Sequence, residues 1–164
     1  EDALNLAAYK MKSDVTAFDA KAVSELFLVE AMSPTPSAEL IINLRQDPQF
    51  GAALVLGSGG ILVELLADSA TLLLPTSPVE IIRALKSLQV GPLLEGFRGR
   101  PAVDIPKIAA AIYKLCITYQ EQIQTIAEIE INPLFVYKAD VSAIDALIQV
   151  SVKDCDNPVG VNFT

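Results

Sequence analysis

The stretch Ile126-Ala-Glu-Ile-Glu-Ile-Asn-Pro-Leu134 constrains the fold more than any other, because polar and apolar side chains alternate along it until Pro133 interrupts. On a strand, successive side chains point to opposite faces. Glu128, Glu130 and Asn132 therefore share one face, and Ile129 and Ile131 the other. The pattern predicts a strand, and it raises the question of what two carboxylates and an amide do on its polar side.

The rest of the chain supplies partners for such a strand. Glu25 opens a strand-like region in which "LFLVEAM" is a short apolar run, and "AELIINLRQDP" follows the break "SPTPS". "ALVLG", "GILVELLAD" and "ATLLLP" come next with minimal spacers and read as a meander of adjacent antiparallel strands, giving a sheet at least four strands wide. Ser77-Pro78-Val79-Glu80 fits a capping box with Pro at the first helical position, followed by an apolar stripe of Ile81, Ile82, Leu85 and Leu88. Asp104 caps a second helix through about Tyr119, with Ile108, Ile112 and Leu115 on one face. Two strands close the pattern, Ile126 to Tyr137 and Val141 to Val150, joined by "KAD". Before all this, Asp19 to Leu28 reads as a helix feeding the first strand. The expected fold class is α+β: a mixed, mainly antiparallel sheet covered by helices.

At 164 residues, 52% hydrophobic and 20% charged, the chain is long enough for one cored domain. Its longest apolar run, Ala52 to Ala67, is broken by Gly57, Gly59 and Gly60 and carries Glu64, so no membrane span is expected, and no secretory signal is visible. A net charge of −8 argues against a nucleic-acid surface. Cys116 and Cys155 form no metal pattern or disulfide framework, which makes a reducing, cytoplasmic compartment the expectation. There is no histidine, so Ser/His and Cys/His catalysis and the commonest zinc ligand are excluded.

Asn132 precedes Asp145 by 145 − 132 = 13 positions, and a turn between their strands sets them side by side. An amide oxygen and a carboxylate on adjacent strands suit a hard cation such as Mg²⁺, with Glu128 and Glu130 available to complete the shell. The alternative is that Asn132-Pro133 ends a strand in a turn and Asp145 is an exposed hairpin residue. "GSGG", Gly57 to Gly60, reads either as a hairpin turn or as a backbone approach to phosphate. "GFRGRP" either presents Arg98 to an anion or is a solvated loop. On pattern alone, Glu30 is an edge-of-sheet carboxylate.

Taken in order, "FLVEAM", "AELIINLRQDPQFG", "GSGGILVELLAD", "GPLLEGFRGRPAVD" and "IAEIEINPLFVY…AIDALI" resemble the later part of the ATP-grasp domain of NDP-forming acyl-CoA synthetases. That group includes ADP-forming acetyl-CoA synthetase and, more distantly, the succinyl-CoA synthetase β subunit. The likeness runs from about Leu26 to about Ile148. It implies that Asn132 and Asp145, with Glu130 as a further candidate, hold Mg²⁺ against the phosphates of ATP or ADP. It implies nucleotide contacts at Glu30 beside the base or ribose, at Glu39 near the ribose hydroxyls, at Gly59 and Gly60, and at Arg45 and Arg98. It divides the chain into a remnant of a small lobe at 1–25, the C-terminal ATP-grasp subdomain at 26–150 and a tail at 151–164.

The likeness has departures. "YKMKSDVTAF" keeps Lys12-Ser13-Asp14-Val15 of a family loop whose histidine carries phosphate, but Met11 stands at the histidine position and the paired glycines are missing. Asn43 stands where the family tends to have glycine. The implied function is the nucleotide- and Mg²⁺-binding portion of an enzyme joining acid, CoA and ATP into acyl-CoA, ADP and phosphate. Alone, the chain is expected to be inactive and to need a CoA-binding subunit or domain, and an incomplete lobe leaves apolar surface for such a partner or a second copy. A second reading is a non-catalytic ATP-grasp-derived module, and a third an unrelated α+β binding domain.

Overall fold

The computed structural model describes residues 2–22, 26–59 and 68–151. The chain divides into two compact units, Glu1–Pro34 and Thr35–Thr164.

In the first unit, α1 spans Asp2–Phe18 and buries none of its residues. Its sequence is rich in Ala, Leu, Lys and Met, which favour helix. The helix expected at Asp19–Leu28 is displaced toward the N-terminus, because Asp19 turns the chain: its carboxylate accepts from the Lys21 amide at 2.9 Å and its carbonyl from the Ala22 amide at 3.0 Å. The strand expected at "LFLVEAM" is also absent: Leu26–Pro36 is irregular. An apolar run becomes a strand only beside a partner, and Pro34 and Pro36 directly after it lack the N–H that a ladder needs.

Among the described residues the second unit has six strands: β1 (Ala38–Asp47), β2 (Gly51–Ser58), β3 (Ser69–Leu73), β4 (Ile126–Val136), β5 (Val141–Ala143) and β6 (Ala146–Val150). They lie in the order β3-β2-β1-β4-β5, with β6 also paired to β4. Every pairing among these strands is antiparallel. The β1–β2 hairpin turns where the Asp47 carboxylate accepts from the amides of Gln49 and Phe50 at 2.8 and 2.9 Å, and Gly51 takes φ +84°. Of the expected strand "GILVELLAD", residues 60–67, Gly60 among them, fall outside the described residues.

One face of the sheet carries Leu40, Ile42 and Leu44 of β1, Leu54 and Leu56 of β2, and Ile129, Ile131, Leu134 and Val136 of β4. These bury against α2 (Pro78–Ser87), α3 (Gly91–Leu94) and α4 (Ile105–Glu121), whose Ile81, Leu85, Leu94, Ile108, Ile112, Cys116 and Tyr119 complete the core. The capping box forms as expected: the Ser77 hydroxyl accepts from the Glu80 amide, and the Glu80 carboxylate accepts from the Ser77 amide. Asp104 caps α4 by accepting from the Lys107 amide. The polar residues of β4 emerge on the other face.

Candidate functional site

The alternation read in β4 is realised: Ile129 and Ile131 are buried, Glu128 and Glu130 half-buried, and Asn132 exposed. The register against β1 then slips. Leu40 pairs with Leu134 and Ile42 with Ile131, so 42 − 40 = 2 steps on β1 match 134 − 131 = 3 steps on β4. The extra residue makes a β-bulge at Asn132-Pro133. Proline is tolerated there because it has no N–H to leave unpaired, and a bulge re-aims the neighbouring side chain.

Across β4, the Asn132 amide donates to the Asp145 carbonyl at 3.2 Å, and the Pro133 carbonyl accepts from the Ile144 amide at 3.1 Å. The strand expected over Val141–Val150 is accordingly interrupted at Ile144 and Asp145, giving β5 and β6. One oxygen of Asp145 accepts from the Ala146 amide at 2.9 Å, which fixes the carboxylate and leaves its second oxygen available. Asn132 and Asp145 meet in an open recess of about 320 Å³ that Glu130, Ala146 and Leu147 also line.

Glu128 does not line this recess. Its Oε1 accepts from the Asn43 side-chain amide at 2.5 Å, which ties it to β1. The Asn43 Oδ1 is buried without a partner among the described residues. Arg45, exposed on β1, stands opposite Glu128 on β4 and Ala53 on β2. Among the described residues no three Asp, Glu, Cys or His side chains gather into a metal cage. A cation in the recess would therefore take the Asn132 amide oxygen, the Asp145 carboxylate and oxygens brought by its ligand or water, a donor set that fits Mg²⁺.

The other expected contacts are dispersed. Glu39, half-buried on β1, and Gly59 line a second recess of about 330 Å³ with Val90, Leu93 and Arg100. Gly59 packs on β1 so closely that a Cβ there would lie 2.8 Å from the Glu39 carbonyl carbon. Its N–H donates to the Glu39 carbonyl at 2.7 Å, so this amide serves the fold and is not free for phosphate. Arg98, in the left-handed region at φ +47°, stacks on Phe97 with 5.2 Å to the ring centroid. Glu30 is exposed in the irregular part of the first unit. Met11–Val15 lies inside α1, so the matched Lys-Ser-Asp-Val stretch is helix and presents no loop. A larger apolar cleft of about 480 Å³ lies in the first unit between α1 and Leu26–Leu28, and no carboxylate lines it. Arg100 and Asn43 are the residues whose importance the sequence did not reveal: Arg100 was visible only as one of two loop arginines, and Asn43 only as a departure from the family pattern.

The ATP-grasp domain family matches residues 1–150. The β subunit of ADP-forming acetate–CoA ligase I from Pyrococcus furiosus is 36% identical over 108 residues, 66% of this chain and 46% of that subunit. A trans-feruloyl-CoA synthase from an unknown prokaryotic organism is 30% identical over 152 residues, 92% of this chain and 21% of the relative. Among solved structures, PH1788 from Pyrococcus horikoshii superposes with a TM-score of 0.74 at 28% identity, over 87% of this chain and 60% of that one. Acetyl-coenzyme A synthetase 1 of Ca. Korarchaeum cryptofilum, in complex with coenzyme A and Ca-AMPCP, superposes with a TM-score of 0.73 at 34% identity, over 85% of this chain and 60% of its own. These likenesses bear out the α+β, ATP-grasp-like architecture. The chain spans less than half the length of the β-subunit relative, 46%.

Proposed function

The chain belongs to the ATP-grasp family, and on that premise we propose that it is the nucleotide- and Mg²⁺-binding portion of an ADP-forming acyl-CoA synthetase. The observation that carries the reading is the recess on the sheet face opposite the core, where a bulge sets Asn132 directly opposite Asp145 with Glu130 beside them. Two carboxylates repel a polyphosphate unless a cation stands between. Asn132 and Asp145 are the residues that would hold Mg²⁺, which when bound neutralises phosphate charge during phosphoryl transfer. This chain's own part is to position ATP: the Ala146 amide orients Asp145, Asn43 keeps Glu128 away, and Glu130 and Arg45 flank the phosphates. Glu39 serves the ribose, with Gly59, Gly60 and Arg98 around the nucleotide.

In the whole enzyme, acid, CoA and ATP become acyl-CoA, ADP and phosphate. The chain has no histidine to carry phosphate and spans only part of its relatives, so a CoA-binding subunit or domain completes the site. Uncovered apolar side chains on β6, Leu147, Ile148 and Val150 at 54 to 64% exposure, suit such a partner or a second copy. No helix among the described residues is long and apolar enough to cross a membrane; a cytoplasmic setting is part of this proposal. ATP with Mg²⁺ is expected to raise the melting temperature more than ATP alone, and the chain alone to form no thioester. Thioester turnover by the 164-residue chain, or no nucleotide effect on melting, would refute this reading.

A second reading, a non-catalytic ATP-grasp-derived module, draws support from Met11–Val15 lying within a helix. It predicts melting that ignores ATP and Mg²⁺.

A further inference from the structure

We propose that Arg100, in the recess it shares with Glu39, grips a phosphate of the bound nucleotide, an inference that rests on the nucleotide-binding reading above. The loop that carries it is tightly wound. The Val103 amide donates to the Leu94 carbonyl at 2.9 Å and the Arg100 amide to the Phe97 carbonyl at 3.0 Å. Gly96, Arg98 and Gly99 all have positive φ, at 98°, 47° and 84°. At Gly96 a Cβ would crowd the Ala102 nitrogen at 3.1 Å and the Arg100 carbonyl at 3.2 Å, so the winding needs glycine there. As a result the two arginines part: Arg98 covers Phe97 and Arg100 lines the recess.

The walls of the recess are fixed. The Gly59 N–H holds the Glu39 backbone at 2.7 Å, and Asp68 accepts from the Ser58 hydroxyl and the Gln89 amide, tying the end of β2 to the chain leading into α3. Within the recess, Glu39 and Arg100 form no ion pair with each other, and neither side chain has another partner among the described residues. A carboxylate that only accepts and a guanidinium fork that only donates are thus both left for a ligand. A molecule bearing hydroxyls and anionic oxygens a few ångströms apart satisfies both, and a ribose phosphate has that chemistry. The volume, about 330 Å³, is that of a small-molecule subsite. Glu39 lies two residues along β1 from Ile41, which faces the Asn132-Pro133 bulge. At about 3.3 Å per residue that is about 7 Å, a sugar-to-phosphate span.

Calorimetric titration of ADP with Mg²⁺, and separately of CoA, into the 164-residue chain tests this with Arg100→Ala, Arg100→Lys and, as a control, Lys114→Ala. Arg100→Ala is expected to weaken ADP by about tenfold or more, with its remaining binding still dependent on Mg²⁺, and Arg100→Lys to restore only part. Lys114→Ala, at an exposed position on α4 outside the recess, is expected to bind within about twofold of the parent. Unchanged ADP affinity in Arg100→Ala overturns the inference while leaving the proposed function standing. Loss of CoA but not ADP binding gives the recess to the ribose phosphate of CoA and also overturns it. If the parent chain binds no ADP, the proposed function falls and this inference with it.

Discussion

The Asn43 amide donates to Glu128 Oε1 at 2.5 Å, while the Asn43 oxygen lies buried with no partner among the described residues. This pairing decides which carboxylate of β4 is free: Glu128 is bound to β1, and Glu130 is left at the recess. It also makes the two partners unequal. Removing Glu128 orphans both ends of the Asn43 amide, whereas removing Asn43 deletes an already unsatisfied acceptor together with one hydrogen bond to a half-buried carboxylate.

Glu128→Ala is therefore expected to destabilise the chain by about 1–3 kcal/mol, and Asn43→Ala by less than about 1 kcal/mol. Urea denaturation of both variants measures this, with a changed midpoint at constant slope as the signature of stability alone. Asn43→Ala costing more than Glu128→Ala would contradict the assigned asymmetry.

Glu80 predicts a pH effect. Hydrogen bonds from the Ser77 hydroxyl, the Ser77 amide and the Thr76 hydroxyl hold its carboxyl below the ordinary carboxylate range. A folded-state pKa depressed below the unfolded one stabilises the protein above the unfolded value, and that contribution is lost as pH falls through the folded value. Thermal melts between neutral pH and about pH 3 should show a shallower acid loss in Glu80→Gln than in the parent. Equal slopes would contradict this. Independently of pH, Ser77→Ala should cost about 0.5–2 kcal/mol as a lost helix cap.

Beneath α4, the Cys116 thiol is pushed up to about 11 by burial, so almost none of it is thiolate at neutral pH. Alkylation of Cys116, followed by peptide mapping, should be slow in the native chain and fast in denaturant. The neighbouring Tyr119 ring is fully buried and its hydroxyl donates to the Ala127 carbonyl at 2.8 Å. Tyr119→Phe should cost about 0.5–1.5 kcal/mol, read from the denaturation midpoint.

Local signals were legible where chemistry is local. The Ser77/Glu80 box and the Asp104 cap appear where their residue types place them, and the β4 alternation sorts into buried isoleucines and half-buried carboxylates. The pairing of Asn132 with Asp145 was also readable, since an intervening turn fixes the register. What was not readable depends on distant partners. "LFLVEAM" has a strand's composition and no strand, because neighbouring chain and not propensity supplies the ladder. Asn43 lies 128 − 43 = 85 positions from Glu128, and nothing local announces their bond. Arg98 and Arg100 look alike in sequence, and only the loop's positive φ angles separate them.

The central claim is that Asn132 and Asp145 hold Mg²⁺ for a nucleotide on the sheet face opposite the core. Calorimetric titration of ATP into the chain, with and without Mg²⁺ and beside an Asp145→Ala variant, tests it most directly. The account predicts binding that strengthens with Mg²⁺ in the parent and loses that dependence in the variant. Equal Mg²⁺ dependence in Asp145→Ala, or no ATP binding by the parent under either condition, would contradict it.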